Sequence, residues 1–267
     1  MTSDRPQRPG RRATGTDTSW DRVATWYDGW VGEYGSAYHR ELAIPAVLEL
    51  LDPQPDEEIL DVGGGQGVLV PSLVEAGARV TVVDASRRLI AAAGRRHGGL
   101  RGVRYVVGDA RALHAIAGLT AGSYDAAVLM LSIQDIDPLA DVVRGLDWAI
   151  RATGRVVLLM THPAFRQPRH SGWGYDEGRK LRFRRIDSYL TPMAVPMKSL
   201  GGGPPTRSFH RPISAYVNAL AGAGFVTDAM LELPDLPPER RPGKAARADE
   251  RSQAEIPIFL AMRAVRG

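Results

Sequence analysis

The chain has 267 residues, 44% apolar and 24% charged, and its 34 basic residues against 30 acids give a formal charge of +4. That length and apolar content suffice for one large α/β domain with a substantial core. The absence of cysteine excludes a disulfide framework, a thiolate zinc site, a Cys-held cluster and a Cys nucleophile, and +4 over this length is a weak field for gripping nucleic acid.

Residues 1–18 are largely Arg, Pro, Gly, Thr and Ser without apolar periodicity and read as a disordered basic tail, outside a single domain over 19–267. The tail's arginines precede no apolar run of the secretory kind, and no stretch reaches the roughly 18 apolar residues of a membrane span, so a cytoplasmic protein without membrane contact is expected. Residues 19–51 form an N-terminal helical cap, rich in Trp and Tyr and ending in a helix over 41–51. An alternation then sets in: strand 58–62, a glycine cluster, helix 68–76, strand 79–84, helix 86–96, strands 103–107 and 124–131, helix 137–151 and strand 154–161. Short β-branched runs between helical segments predict a parallel sheet covered on both faces. Residues 163–212 break the rhythm with many turn residues, and so long an insertion inside a domain reads as a substrate lid. After it come a helix over 213–223, stopped by Gly224, and two strands, 225–233 and 256–265. No crossover helix joins these strands, so they are expected to pair antiparallel.

Three features gather at the C-terminal ends of the first three strands. Asp61-Val62-Gly63-Gly64-Gly65-Gln66-Gly67 lies between a strand and a helix, where glycine lets backbone approach a ligand and a helix N-terminus offers unpaired N–H groups. The spacing fits neither G-x-G-x-x-G, whose third glycine would fall at Val68, nor a P-loop, because no Lys-Ser or Lys-Thr follows. Asp84 ends the second strand, where a carboxylate can accept two hydrogen bonds from a ribose. Asp109, in Gly108-Asp109-Ala110, ends the third, where it can accept from an adenine amino group. Strand-end capping is the alternative for both acids.

This set of residues resembles the class I S-adenosylmethionine-dependent methyltransferases, in their small-molecule branch. The resemblance implies an α/β fold that is Rossmann-like and three-layered: a seven-stranded, mostly parallel sheet with an antiparallel last strand, plus the lid insertion. It implies S-adenosylmethionine as cofactor, with Gly63, Gly65 and Gly67 at its amino-acid end and Asp61 orienting it through the loop. Asp84 would hold the ribose with Ala85 beside the adenine, and Asp109 next to Ala110 would meet the adenine amino group. Met130 and Leu131 would line the methionine arm. Tyr27 either closes over the cofactor or packs within the aromatic cap.

Methyl transfer from a sulfonium is an in-line displacement that needs alignment in a dry pocket, and a base only where the acceptor must lose a proton. His162 follows the fifth strand directly and is expected to point into that pocket, as a base or as a hydrogen-bonded structural residue. His210, in His210-Arg211-Pro212, enters the last helix and either meets the acceptor or caps that helix. Trp173, Tyr175 and Arg211 are candidate substrate contacts, while the basic run at 180–185 reads as lid or as a half-buried strand with a solvated face. No Asp/Asn-Pro-Pro-Tyr/Phe follows the fourth strand, where Met130-Leu131-Ser132-Ile133 stands, and Gln134, Asp135 and Asp137 read as helix-capping residues rather than metal ligands. The expected function is metal-independent methyl transfer to O, N or S of a small-molecule acceptor. An RNA methyltransferase and a non-catalytic cofactor-binding module are the alternatives.

Overall fold

Short runs of β-branched residues, apolar on both sides, form the centre of the molecule. In the computed structural model the described residues are 19–197, 205–237 and 251–267, so the expected tail lies outside them, as does part of the expected lid. The strands are β1 (Glu58–Val62), β2 (Arg79–Asp84), β3 (Val103–Val107), β4 (Tyr124–Met130), β5 (Ile150–Thr161), β6 (Ser171–Asp176), β7 (Leu181–Ile186), β8 (Met193–Pro196), β9 (Arg207–His210), β10 (Phe225–Leu233) and β11 (Phe259–Arg266). Seven of them make one sheet in the order β10-β11-β5-β4-β1-β2-β3. Pairings from β3 through to β5 are parallel, and β11 runs antiparallel to both β5 and β10. The sheet is therefore the expected mostly parallel one with a reversed last strand, which sits second from the edge.

The helices are α1 (Ser19–Val31), α2 (Ile44–Leu51), α3 (Val70–Glu75), α4 (Arg87–His97), α5 (Leu139–Ala149) and α6 (Ile213–Gly222). Side chains alternate across each strand, so Leu60 and Val62 join a core with Leu146 of α5 and Tyr216 of α6. Ile59 faces the other way, into a core with Leu51 of α2, Leu73 of α3 and Ile90 of α4. Among the described residues no helix is long and apolar enough to cross a membrane.

The structure departs from the expected elements at several places, among them the last strand, which begins at Phe259 rather than residue 256. The helix after the glycine loop begins at Val70 rather than residue 68, with a proline in its first turn, because Gly67 at φ 78° cannot be helical. The fifth strand starts at Ile150 rather than 154: Tyr124 pairs with Ile150 and Ala126 with Arg155, so residues 151–154 bulge. The cap helix is preceded by a π-helical turn, His39–Ala43. The stretch 163–212, read as irregular, holds two antiparallel hairpins, β6–β7 and β8–β9.

Candidate functional site

A cavity of about 370 Å3 opens at the C-terminal ends of β1, β2 and β4, the end where ligands bind in open α/β sheets. Its floor is the loop after β1. The Gly63 N–H bonds to the Val83 carbonyl at 2.7 Å, and the residue has φ 70°. A Cβ there would stand 2.6 Å from that of Ser132, so only glycine lets β1 turn this tightly against the end of β4. Asp61 is 1% exposed, and its Oδ2 has no hydrogen-bond partner among the described residues. Burial, with the charge of Asp84 added, pushes its pKa up to about 7. Gln66 also lines the cavity, and its buried Nε2 is a donor equally without a partner. An orphaned acceptor and an orphaned donor in one wall suit the ammonium and carboxylate of an amino-acid group.

Asp84 and Ala85 line the next wall. Asp84 Oδ2 accepts from the Gly65 N–H at 3.0 Å and Oδ1 from the Ser86 N–H at 2.7 Å. Burial raises the Asp84 pKa, although those two hydrogen bonds oppose it. Asp109 and Ala110 follow. The Asp109 carboxylate caps a 3-10 turn through the Arg111 N–H and takes a forked ion pair from the Arg111 guanidinium at 2.6–3.0 Å. Burial alone would raise its pKa, but Arg111 outweighs this and holds it low. Both acids thus make strand-end turns and also face the cavity. Met130 and Leu131 close the β4 side, with Leu131 at φ 56°, a strained conformation for a residue with a branched side chain.

The roof comes from the cap and from β9. Helix α1 lies on α4, held by the Asp28–Arg96 ion pair and by Asp21 accepting from the Ser86 hydroxyl. It presents Trp20 and Tyr27, whose rings meet edge to face at 5.1 Å. The Tyr27 hydroxyl is pushed well above its ordinary range by burial and by the charges of Asp135 and Asp84. His39 also faces the cavity, its Nδ1 2.9 Å from Ser36 Oγ. Burial, aided by Arg40, lowers its pKa to about 4, so the ring is neutral at physiological pH. It fits because Gly35, at φ 84°, carries no Cβ, which would stand 2.6 Å from the His39 Cβ. Asp135, Arg207 and Phe209 complete the wall.

Residues 59–154 match a family described as a methyltransferase domain. Among solved structures, an S-adenosylmethionine-dependent methyltransferase from Mesorhizobium loti superposes with a TM-score of 0.67, at 26% identity over 88% of this chain and 100% of that one. The chain thus carries a methyltransferase domain on the fold of the S-adenosylmethionine-dependent methyltransferases. Among curated relatives, a demethylmenaquinone methyltransferase from Beutenbergia cavernae is 27% identical over 157 residues, 58% of each protein. A ribosomal RNA small subunit methyltransferase A from Methylococcus capsulatus is 33% identical over 67 residues, 25% of this chain and 26% of that one. The chain therefore spans well under two thirds of the curated relatives it matches, and the two are named for different acceptors.

The fold brings most of the expected cofactor residues to one cavity: Tyr27, Asp61, Gly63, Gly65, Asp84, Ala85, Asp109, Ala110, Met130 and Leu131 all line it. Gly67 does not; it packs against Val70, Ala93 and His97. His162 does not point into the cavity either. It is 1% exposed, its Nδ1 accepts from the Ala164 N–H at 3.2 Å, and its Nε2 donates to Glu232 Oε1 at 2.9 Å, so both nitrogens are engaged. Burial lowers its pKa against the opposing pull of Glu232. His210 donates Nε2–H to the Tyr189 carbonyl at 2.7 Å, and the Tyr189 hydroxyl accepts from Ile213 N–H at the start of α6. It serves that helix rather than the cavity.

Trp173 stacks beneath Arg182 at 4.5 Å on the β6–β7 hairpin, with Tyr175 exposed on the same hairpin, and neither lines the cavity. The run at 180–185 is accordingly a strand paired into a hairpin. Arg211 is buried and holds the turn after β4, donating Nη2 to the Ile136 carbonyl and to Asp137 Oδ1, both at 2.7 Å. None of Gln134, Asp135 and Asp137 caps α5, whose N-cap is Pro138. His39, Gln66, Asp135, Arg207 and Phe209 are cavity residues that the sequence reading did not place there.

Proposed function

We propose that this chain transfers a methyl group from S-adenosylmethionine to a small-molecule acceptor held in the same cavity. When bound, the cofactor supplies an activated methyl on sulfur. The carrying observation is the pair of orphaned polar atoms, Asp61 Oδ2 and Gln66 Nε2, behind a glycine loop that runs into a cavity walled further on by Asp84 and Asp109. In this reading Asp61, Gln66 and the Gly63–Gly65 backbone receive the amino-acid end, Asp84 the ribose and Asp109 the adenine, while Met130 and Leu131 flank the methionine arm. Tyr27 and Trp20 exclude water from above. The acceptor then lies between Phe209, Arg207, His39 and Asp135, beneath the β8–β9 hairpin, which makes that hairpin the working part of the lid. A cavity of this size holds small molecules, whereas the basic β6–β7 hairpin does not line it.

Incubating the protein with methyl-labelled S-adenosylmethionine and a cell extract split into small-molecule and RNA fractions tests this reading. Label is expected in the small-molecule fraction, at a rate nearly unchanged between low and moderate salt. Label confined to RNA, with a steep fall as salt rises, would contradict it.

A further inference from the structure

One carboxyl in the cavity wall has neither a cofactor role nor a counter-charge. Asp135 closes the 3-10 turn Ile133–Asp135 after β4 and lies beside Ser208 of β9, whose hydroxyl donates to the Gln134 carbonyl at 3.4 Å. Among the described residues no arginine or lysine pairs with it, while its neighbour Asp137 is paired with Arg211. It lines the cavity, and burial, opposed by the neighbouring Ser208 hydroxyl, pushes its pKa up to about 8. Its charge reaches the hydroxyls of Tyr27 on α1, raised first by burial and then by Asp135, and of Tyr216 on α6, raised by burial against the opposing Arg211 guanidinium with Asp135 the smallest cause.

The surroundings favour a cation. Five aspartates line the cavity against two arginines, Arg111 and Arg207, and Arg111 is already spent on Asp109. Three aromatic side chains, Trp20, Tyr27 and Phe209, share the cavity, and their faces attract a positive group.

We infer that Asp135 is the proton acceptor of the transfer and that the acceptor molecule is an amine. This rests on the methyl-transfer reading above. The amine enters as an ammonium, supplying the charge that Asp135 lacks. The Asp135 carboxylate removes one N–H proton and so frees the nitrogen lone pair. The N–C bond forms as the C–S bond breaks, and sulfur keeps the bonding pair. The product leaves as the methylated ammonium, and Asp135 gives its proton to water. A thioether or a carboxylate acceptor would have no use for such a group. Arg211 acts as a positioning residue, because it fixes the turn from which Asp135 projects.

The test uses the same labelled extract, with its small molecules divided by cation exchange into amine-bearing and unretained fractions, and calorimetry with S-adenosylhomocysteine. The wild-type protein is expected to label the retained fraction at a rate that rises with pH through one ionisation near 8. Asp135→Asn should bind S-adenosylhomocysteine within about twofold of wild type while transferring roughly 10²-fold less, without that pH limb. Asp135→Glu, which keeps the carboxyl, should restore part of the rate. Wild-type transfer by Asp135→Asn, loss of its S-adenosylhomocysteine binding, or label confined to unretained molecules would each overturn the assignment. A wild-type protein that labels no small molecule at all removes the methyl-transfer reading itself.

Discussion

Asp61 is a buried carboxyl whose pKa is pushed up to about 7, because burial and Asp84 both disfavour its charge. A raised native pKa means that the folded protein holds a proton between about pH 4 and 7 that the unfolded chain has lost, so this group withdraws stability as pH rises through that window. A cation bound beside it reverses the preference and expels the proton. S-adenosylmethionine affinity is therefore expected to climb by up to about one log unit per pH unit below 7 and then level off. Calorimetry in buffers of different ionisation enthalpy should show proton release at pH 6.5, and Asp61→Asn should abolish it. A pH-independent affinity would contradict this account of the loop.

The glycine loop and the three strand-end acids were legible because each is encoded locally, by a strand, a turn and one residue at its end. His39 and Asp135 were not. His39 comes to the cavity by way of the glycine-seated π-helical turn, an irregular element, and Asp135 by way of Arg211, 76 positions further on. His162 read as a base from its place at a strand end, but strand position alone does not say which side of the sheet's end a ring turns to. Glu232 and the Ala164 N–H turn it towards β10.

At the scale of elements, sequence periodicity was enough for the seven-stranded sheet, since strands covered on both faces are apolar throughout. It was not enough for the hairpins, whose strands are short and alternate only partly. The basic and aromatic β6–β7 pair reads as a lid from its composition, but its Trp173 is taken up by its own arginines. The shorter β8–β9 pair reaches the cavity instead. Helix α1 is held on α4 by polar contacts at two of its residues, Asp21 and Asp28. The Asp28–Arg96 pair is about one quarter exposed on each side, so its loss should cost ~1 kcal/mol, about fivefold in an equilibrium. Asp28→Ala is accordingly expected to weaken S-adenosylhomocysteine binding about fivefold with little change in melting temperature. An unchanged affinity would mean that α1 does not close the site.

For the whole molecule, one end of one sheet carries everything the proposed chemistry needs. Four loops, after β1, β2, β3 and β4, supply the walls, and α1 and β9 supply the roof. The opposite end, with Arg79, Arg104 and Arg151, holds a second, polar hollow whose arginines are occupied by neighbouring acids and a carbonyl. The net charge of +4 thus says little about the ligand, because the cavity itself is acidic. Amide hydrogen exchange with and without S-adenosylhomocysteine tests the central claim most directly. Protection is predicted in residues 61–68, 84–89, 108–111 and 130–137 and in α1, segments far apart in sequence that meet only at this cavity. No protection there, or protection confined to the β6–β7 hairpin, would contradict it.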